Sequence, residues 1–236
     1  MMMLEIYEED IEKLDSGTPI ARYFSVSKLT KLLRDESLYF CNSKRFQDNH
    51  ERTLPDNIYW RYREAKRIAG KISDYQKQIY EAYISCWTKF DSENYALWKT
   101  YDKYSNGVCL VTTVGGLKAQ LPKNVLIGPV TYIPVSGEPP KINIPMVHTS
   151  QSSNYIATEF FKIYPYKYEN EIRAVFYDRQ YSLGESLPVN LKELITEVYI
   201  SPFSNEERKE KTKNLLMRKF DINIIKESFI NETNKN

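Results

Sequence analysis

Histidine, cysteine and long apolar runs are all scarce in this chain, and each scarcity removes a class of function. Only two histidines, His50 and His148, occur in 236 residues. Neither sits in a ligand-spaced motif, so neither a zinc site nor a histidine-activated nucleophile is indicated. The three cysteines, Cys41, Cys86 and Cys109, are an odd number, and no CxxC pair is present. A disulfide framework is therefore not expected, and a reducing cytoplasm is the expected compartment. Cys86 falls in an apolar stretch that reads as a core strand, where thiols are usually inert. Residues 1–10 are acidic and lack the basic and apolar regions of a secretory leader. No apolar run reaches the roughly 20 residues that cross a bilayer. Gly115-Gly116 belongs to neither GxxxxGK[ST] nor GxGxxG, which removes the usual phosphate-cradling loops.

Net charge is close to zero: 33 Lys and Arg stand against 31 Asp and Glu. That balance commits the overall surface neither to nucleic acid nor to membrane, although a local basic patch stays open. What the chain has in abundance is tyrosine, 19 residues of it. A ring with a polar tip suits ligand pockets and interfaces, while an AT-rich coding sequence would enrich tyrosine equally.

The length suits one domain, residues 1–236, with a core over 20–229 and a helical insertion at about 55–82. Residues 4–14 read as a short acidic helix. A strand at 20–24, a helix at 28–34 capped by Ser25 or Ser27, and a strand at 38–41 follow. The polar segment 42–51 is a functional-loop candidate carrying Arg45, Asp48, His50 and Glu51. The insertion consists of two helices, the first ending at Gly70, with a basic surface. Further on come a strand at 82–87, a helix at 93–103 capped by Ser92, and strands at 108–113 and 124–133, the last broken near Gly128-Pro129. Residues 136–145 read as a loop and 148–154 as a candidate lid. A helix at 155–163, a loop at 178–190, a strand at 197–201, a helix with a Ser204–Glu207 capping box and a strand at 222–229 complete the pass. Strands and helices mix without a βαβ rhythm. The expected class is α+β, with a mainly antiparallel or split sheet, flanking helices and the helical insertion.

The stretch 166–176, Tyr-Lys-Tyr-Glu-Asn-Glu-Ile-Arg-Ala-Val-Phe, carries the chemistry. Alternation predicts a strand with Glu169, Glu171 and Arg173 on one face and Ile172, Ala174 and Phe176 on the other. Two readings fit that face. One is a solvated ion-pair surface worth under about 1 kcal/mol. The other is a site in which paired carboxylates shift each other's pKa while the arginine keeps one ionised.

Four segments in order carry a resemblance. Tyr23-Phe24, Leu38-Tyr39-Phe40 and Phe46-Gln47-Asp48-Asn49-His50-Glu51 form the first. Tyr83-Ile84-Ser85-Cys86-Trp87, Asn94, Trp98, Tyr101 and Gly107-Val108-Cys109 form the second. Lys162 with Tyr168-Glu169-Asn170-Glu171-Ile172-Arg173 forms the third, and Glu197-Val198-Tyr199-Ile200-Ser201-Pro202 the fourth. Together they resemble the bacterial family called domain of unknown function 2971, over about residues 22–220. The resemblance implies a cytosolic effector of anti-phage or toxin-like type, and it directs attention to Asp48, Glu51, Trp98, Tyr101, Lys162, Glu169, Glu171 and Arg173.

The opening strand, helix and strand are also similar to the start of ADP-ribosyltransferase-like folds, whose late strand carries a Glu-x-Glu pair matched here by Glu169-Asn170-Glu171. That similarity implies NAD as substrate, Glu171, Glu169 and Arg173 as the catalytic set, and Arg22 and Tyr23 on the first strand as binding residues. Two alternatives stand beside it. One is a non-catalytic binding module for a nucleotide, a nucleic acid or a partner protein. The other is a metal-dependent nuclease using Asp48, Glu51, Glu169 and Glu171 as oxygen ligands. The leading reading calls for no metal.

Overall fold

The computed structural model describes residues 14–46, 82–134, 146–148, 154–156, 158–178 and 182–230. Its elements run β1 (Pro19–Phe24), α1 (Val26–Asp35), β2 (Ser37–Asn42), a 3-10 turn (Ser43–Arg45), β3 (Ala82–Lys89), α2 (Tyr95–Tyr101), β4 (Val108–Thr113) and α3 (Val114–Gln120). Then follow β5 (Leu126–Pro129), β6 (Thr131–Ile133), β7 (Met146–His148), β8 (Asn154–Ile156), a 3-10 turn (Thr158–Phe160), β9 (Phe161–Ile163), a 3-10 helix (Tyr164–Glu169) and β10 (Glu171–Tyr177). The chain continues through β11 (Gly184–Pro188), α4 (Leu191–Leu194), β12 (Glu197–Ile200), α5 (Glu206–Met217), a 3-10 turn (Ile222–Ile224) and β13 (Ile225–Glu227). Helices and a mostly antiparallel mixed sheet together make the class α+β, as expected. No helix among the described residues is long and apolar enough to cross a membrane.

The chain clusters into two compact units, each drawn from separate stretches of sequence. Of the described residues, one unit takes those within 39–46, 82–86 and 122–186, the other those within 15–38, 87–121 and 187–230.

In the second unit β4 is the central strand. Its sequence Val-Cys-Leu-Val-Thr-Thr is buried at every position but the last, as a strand covered on both faces requires. β1 pairs along its whole length antiparallel to β4, from Pro19 opposite Thr113 to Phe24 opposite Val108. β12 pairs antiparallel on the other edge of β4, and β13 runs parallel to β12. Ala21, Tyr23, Leu97, Trp98, Cys109, Val111 and Tyr199 pack as one core cluster. The turn after α2 is knotted by Asp102, whose carboxylate accepts the Asn106 and Gly107 backbone N–H groups at 2.8 Å each and the Ser201 hydroxyl. Gly107 is required there, since a side-chain carbon would come 2.6 Å from the Phe24 carbonyl oxygen.

Two expected caps are corrected. α2 starts later than expected, and Asn94 rather than Ser92 caps it, accepting from the Ala96 and Leu97 N–H groups. α5 is capped by Asn205, which accepts from Arg208 N, while Ser204 donates to the Ser105 carbonyl at 2.9 Å. In both places an asparagine nearer the first helical turn outcompetes a serine for the unsatisfied N–H groups.

In the first unit β2 meets β3 antiparallel, with Cys41 opposite Ile84. β10 pairs with β3 and with β5, the latter antiparallel from Ile172 opposite Pro129 to Val175 opposite Leu126. Phe176 stacks on Tyr83 at 5.0 Å between centroids and meets Phe40 edge-on at 5.3 Å. On the opposite face Ala82, Ile84, Leu126, Phe160 and Val175 form a second cluster, with Phe46, Cys86 and Tyr177 against it. β6 and β9 pair in parallel, and β7 and β8 antiparallel.

The expected helix over 155–163 is not formed. Tyr155 and Ile156 belong to β8, and Phe161–Ile163 is β9, paired to β6. β-Branched and aromatic residues fit a pleated surface, and pairing decides the matter. The expected loop over 178–190 contains β11, and the expected strand over 222–229 is shortened to β13 behind a 3-10 turn capped by Asp221. The expected helix at 4–14 (except residue 14), the helices of the insertion and residues 149–153 of the candidate lid lie outside the described residues.

Candidate functional site

The site is a buried cluster of charge in the first unit, built on β10. Glu171 and Arg173 are two apart on that strand and therefore share a face. Arg173 is fully buried. Its Nη2 donates to Glu171 Oε2 at 2.8 Å and its Nη1 to the Glu159 main-chain oxygen at 2.6 Å. From β9, Lys162 Nζ donates to Glu169 Oε2 at 2.7 Å and lies 3.5 Å from Glu171 Oε2. The Tyr166 ring sits 4.6 Å from the same ammonium. Two cations thus face two carboxylates, all four at most 8% exposed.

The local sequence explains how Glu169 joins. The extended strand expected from residue 166 is absent; residues Tyr164–Glu169 form a 3-10 helix opened by Pro165. Asn170, at φ 42°, turns the chain through the left-handed region into β10. Asparagine is among the few side chains that adopt that conformation readily. Glu169 and Glu171 therefore converge on Lys162 through a turn rather than by sharing a strand face.

The environments of two carboxyls diverge. Burial pushes Glu171 up, but the Arg173 and Lys162 charges, with hydrogen bonds from Arg173 and the Cys86 thiol, outweigh it and hold Glu171 below the usual carboxylate range. Glu159 is pushed above that range by burial, only partly offset by hydrogen bonds from its own backbone, Tyr177 and Thr158 and by the Arg173 charge. Its Oε2 accepts the Tyr177 hydroxyl at 2.8 Å. Tyr132, raised mainly by burial, accepts the Glu171 backbone N–H at 2.9 Å. One carboxyl held ionised and one inclined to keep its proton, both tied to Arg173, form the pattern from which acid and base roles are drawn.

The Glu159 assignment is testable. A raised folded pKa contributes stability below the ordinary carboxylate value and loses it as pH rises through the folded value. Glu159→Gln keeps an acceptor for Tyr177 and removes this titration. The loss of stability between pH 5 and pH 7.5, measured by urea unfolding, is expected to be smaller in the variant than in the parent. An unchanged pH slope would show that Glu159 titrates normally.

The other expected site residues fall elsewhere. Arg22, Tyr23, Trp98 and Tyr101 belong to the second unit, whereas Lys162, Glu169, Glu171 and Arg173 belong to the first. Within the second unit Tyr23 and Trp98 are core: their rings meet edge-on at 4.9 Å, and Trp98 Nε1 donates to Glu93 at 3.0 Å. Arg22 lies over the Phe24 ring at 5.0 Å, and Tyr101 is exposed. Asp48, His50 and Glu51 lie outside the described residues. Among the described residues no group of three or more His, Cys, Asp or Glu is arranged to hold a metal ion. Sequence reading missed Glu159, Tyr177, Tyr132 and Cys86 as members of the cluster. No motif marks Glu159, a lone carboxylate beside Phe160-Phe161 in the sequence.

Comparison with known proteins finds no family model that matches the chain and no curated protein that matches it.

Proposed function

We propose that this chain is an NAD-consuming bacterial effector of ADP-ribosyltransferase type, acting in the cytoplasm in an anti-phage or toxin-like role, and that it belongs with the domain of unknown function 2971 proteins it resembles. The observation that carries the reading is Glu171: a buried carboxylate kept ionised by two cations, one residue removed from a second carboxylate. In the reaction the bond between nicotinamide and the ribose C1′ breaks. Nicotinamide leaves with the electron pair as a neutral base, and the oxocarbenium-like sugar takes water or a nucleophile of a target. An ionised carboxylate beside that carbon stabilises the developing positive charge. Arg173 and Lys162 hold its orientation, and on this reading Glu169 receives the proton of the incoming nucleophile.

The test is release of nicotinamide from NAD, and transfer of labelled ADP-ribose to protein or nucleic-acid targets in an extract. Glu171→Gln keeps the shape and an acceptor for Arg173 and is expected to lower turnover at least about a hundredfold. Absence of turnover and of labelled product under every condition overturns the proposal.

One observation favours a binding module as second reading. Both basic side chains of the cluster already bond to its carboxylates, as in a buried framework that shapes a surface. On that reading a nucleotide binds without turnover, and Glu171→Gln changes stability and affinity together. The nuclease alternative depends on Asp48 and Glu51.

A further inference from the structure

We infer that the second unit carries a binding surface for single-stranded nucleic acid, centred on α2 and the turn that precedes α5. Tyr95 is 56% exposed and meets Phe203 edge-on at 5.6 Å. Lys99, one helical turn on from Tyr95, holds its ammonium 3.6 Å from the Phe203 ring centroid and 5.4 Å from that of Tyr95. Tyr104, 72% exposed, has its carbonyl bonded to Arg208 Nη1 at 2.9 Å, and Lys103 beside it is exposed. Among the described residues none of Lys99, Lys103 and Arg208 forms an ion pair with a carboxylate.

Exposed rings interleaved with cations that no close ion pair engages match a particular chemistry. Cations track a phosphate backbone, and aromatic faces accept unpaired bases, which stack on tyrosine whatever their identity. A duplex hides its base faces and would use only the cations. An acidic peptide would likewise use the cations and leave the rings idle. The exposed rings therefore select a single strand. This surface shares no residue with the Glu171 cluster, and its existence does not depend on the proposed activity.

The experiment is fluorescence anisotropy of the full chain with a labelled 20-nucleotide oligo(dT) across a salt series. Binding is expected to weaken as salt rises. Tyr104→Ala is expected to weaken it about tenfold or more, whereas Tyr104→Phe retains it. Lys103→Ala with Arg208→Ala is expected to flatten the slope of log affinity against log salt by about 0.7 for each phosphate that is no longer neutralised. Thermal unfolding of each variant at the parental temperature confirms that the fold is kept. The inference is overturned if the oligonucleotide fails to bind at low salt. It is also overturned if Tyr104→Ala binds as tightly as the parent, or if polyphosphate or polyglutamate of equal charge competes as well as oligo(dT).

Discussion

Replacing Arg173 with methionine is expected to lower the free energy of unfolding by about 3–5 kcal/mol at neutral pH. The guanidinium is fully buried and bonds the Glu171 carboxylate and the Glu159 carbonyl. Methionine fills much of the volume but leaves Glu171 ionised with Lys162 at 3.5 Å as its remaining charge partner, beside the hydrogen bond from the Cys86 thiol. The penalty is the unpaired charge, so it is pH-dependent. In the parent, the lowered pKa of Glu171 contributes stability above the ordinary carboxylate value, lost as pH falls through the lower folded value. In Arg173→Met that pKa rises, Glu171 takes a proton more readily, and the deficit relative to the parent narrows as pH falls toward 4. Urea unfolding at pH 7 and pH 4.5 measures both quantities. Combining Arg173→Met with Glu171→Leu is expected to recover much of the loss, because an apolar pair of similar volume has no unpaired charge to solvate. A loss under about 1 kcal/mol in the single variant would mean that the cluster is hydrated, and the electrostatic basis of the candidate site would fall with it.

Trp98→Ala is expected to cost about 3–5 kcal/mol of stability. Trp98 is fully buried, packs on Tyr23, and satisfies a Glu93 carboxylate oxygen. Truncation leaves a cavity between α2 and β1 and removes that hydrogen bond at once. Tyr101→Ala, three residues along the same helix, is expected to cost within about 1 kcal/mol, since its ring is 43% exposed. Chemical denaturation of the two variants side by side separates a core tryptophan from a ligand platform. Equal, small losses would return Trp98 to the set of binding residues.

The fold is readable in the sequence where burial is lopsided. The run Val108–Thr113 is apolar enough to be a central strand with no help from context, and Pro19–Phe24 and Glu197–Ile200 alternate or fill as strands do. Boundaries blur where several residues compete for one role. Ser92 and Ser204 are acceptable caps, but Asn94 and Asn205 lie closer to the N–H groups that need satisfying. The segment around Phe160-Phe161 misleads for a different reason. Its apolar spacing fits a helix, and only the presence of β6 as a parallel partner makes it a strand.

The candidate site is legible in part. Glu171 and Arg173 share a face because the period of a strand is fixed, and residues 171–177 are extended. Glu169 reaches the same cations by a route that alternation does not describe, because the left-handed turn at Asn170 leaves no periodic trace in sequence. Lys162 can be singled out by resemblance but not by spacing, since its reach to both carboxylates depends on the pairing of β9. Glu159 is illegible because its role comes from a carbonyl and a desolvated carboxyl, neither of which has a motif.

The interleaving of the two compact units bears on how the chain assembles during synthesis. The first unit receives its last segment by Ser186, so Lys162, Glu169, Glu171 and Arg173 are all made, with the ion pairs between them available, before residues 187 onward exist. β1 and β4 can pair early, but β12, which covers the open edge of β4, is made later. Until then the growing chain carries a hydrophobic strand edge with no neighbour, a species prone to mispairing. The order of emergence from the ribosome thus completes the residues of the buried charge cluster before the second edge of Val108–Thr113 gains its β12 neighbour.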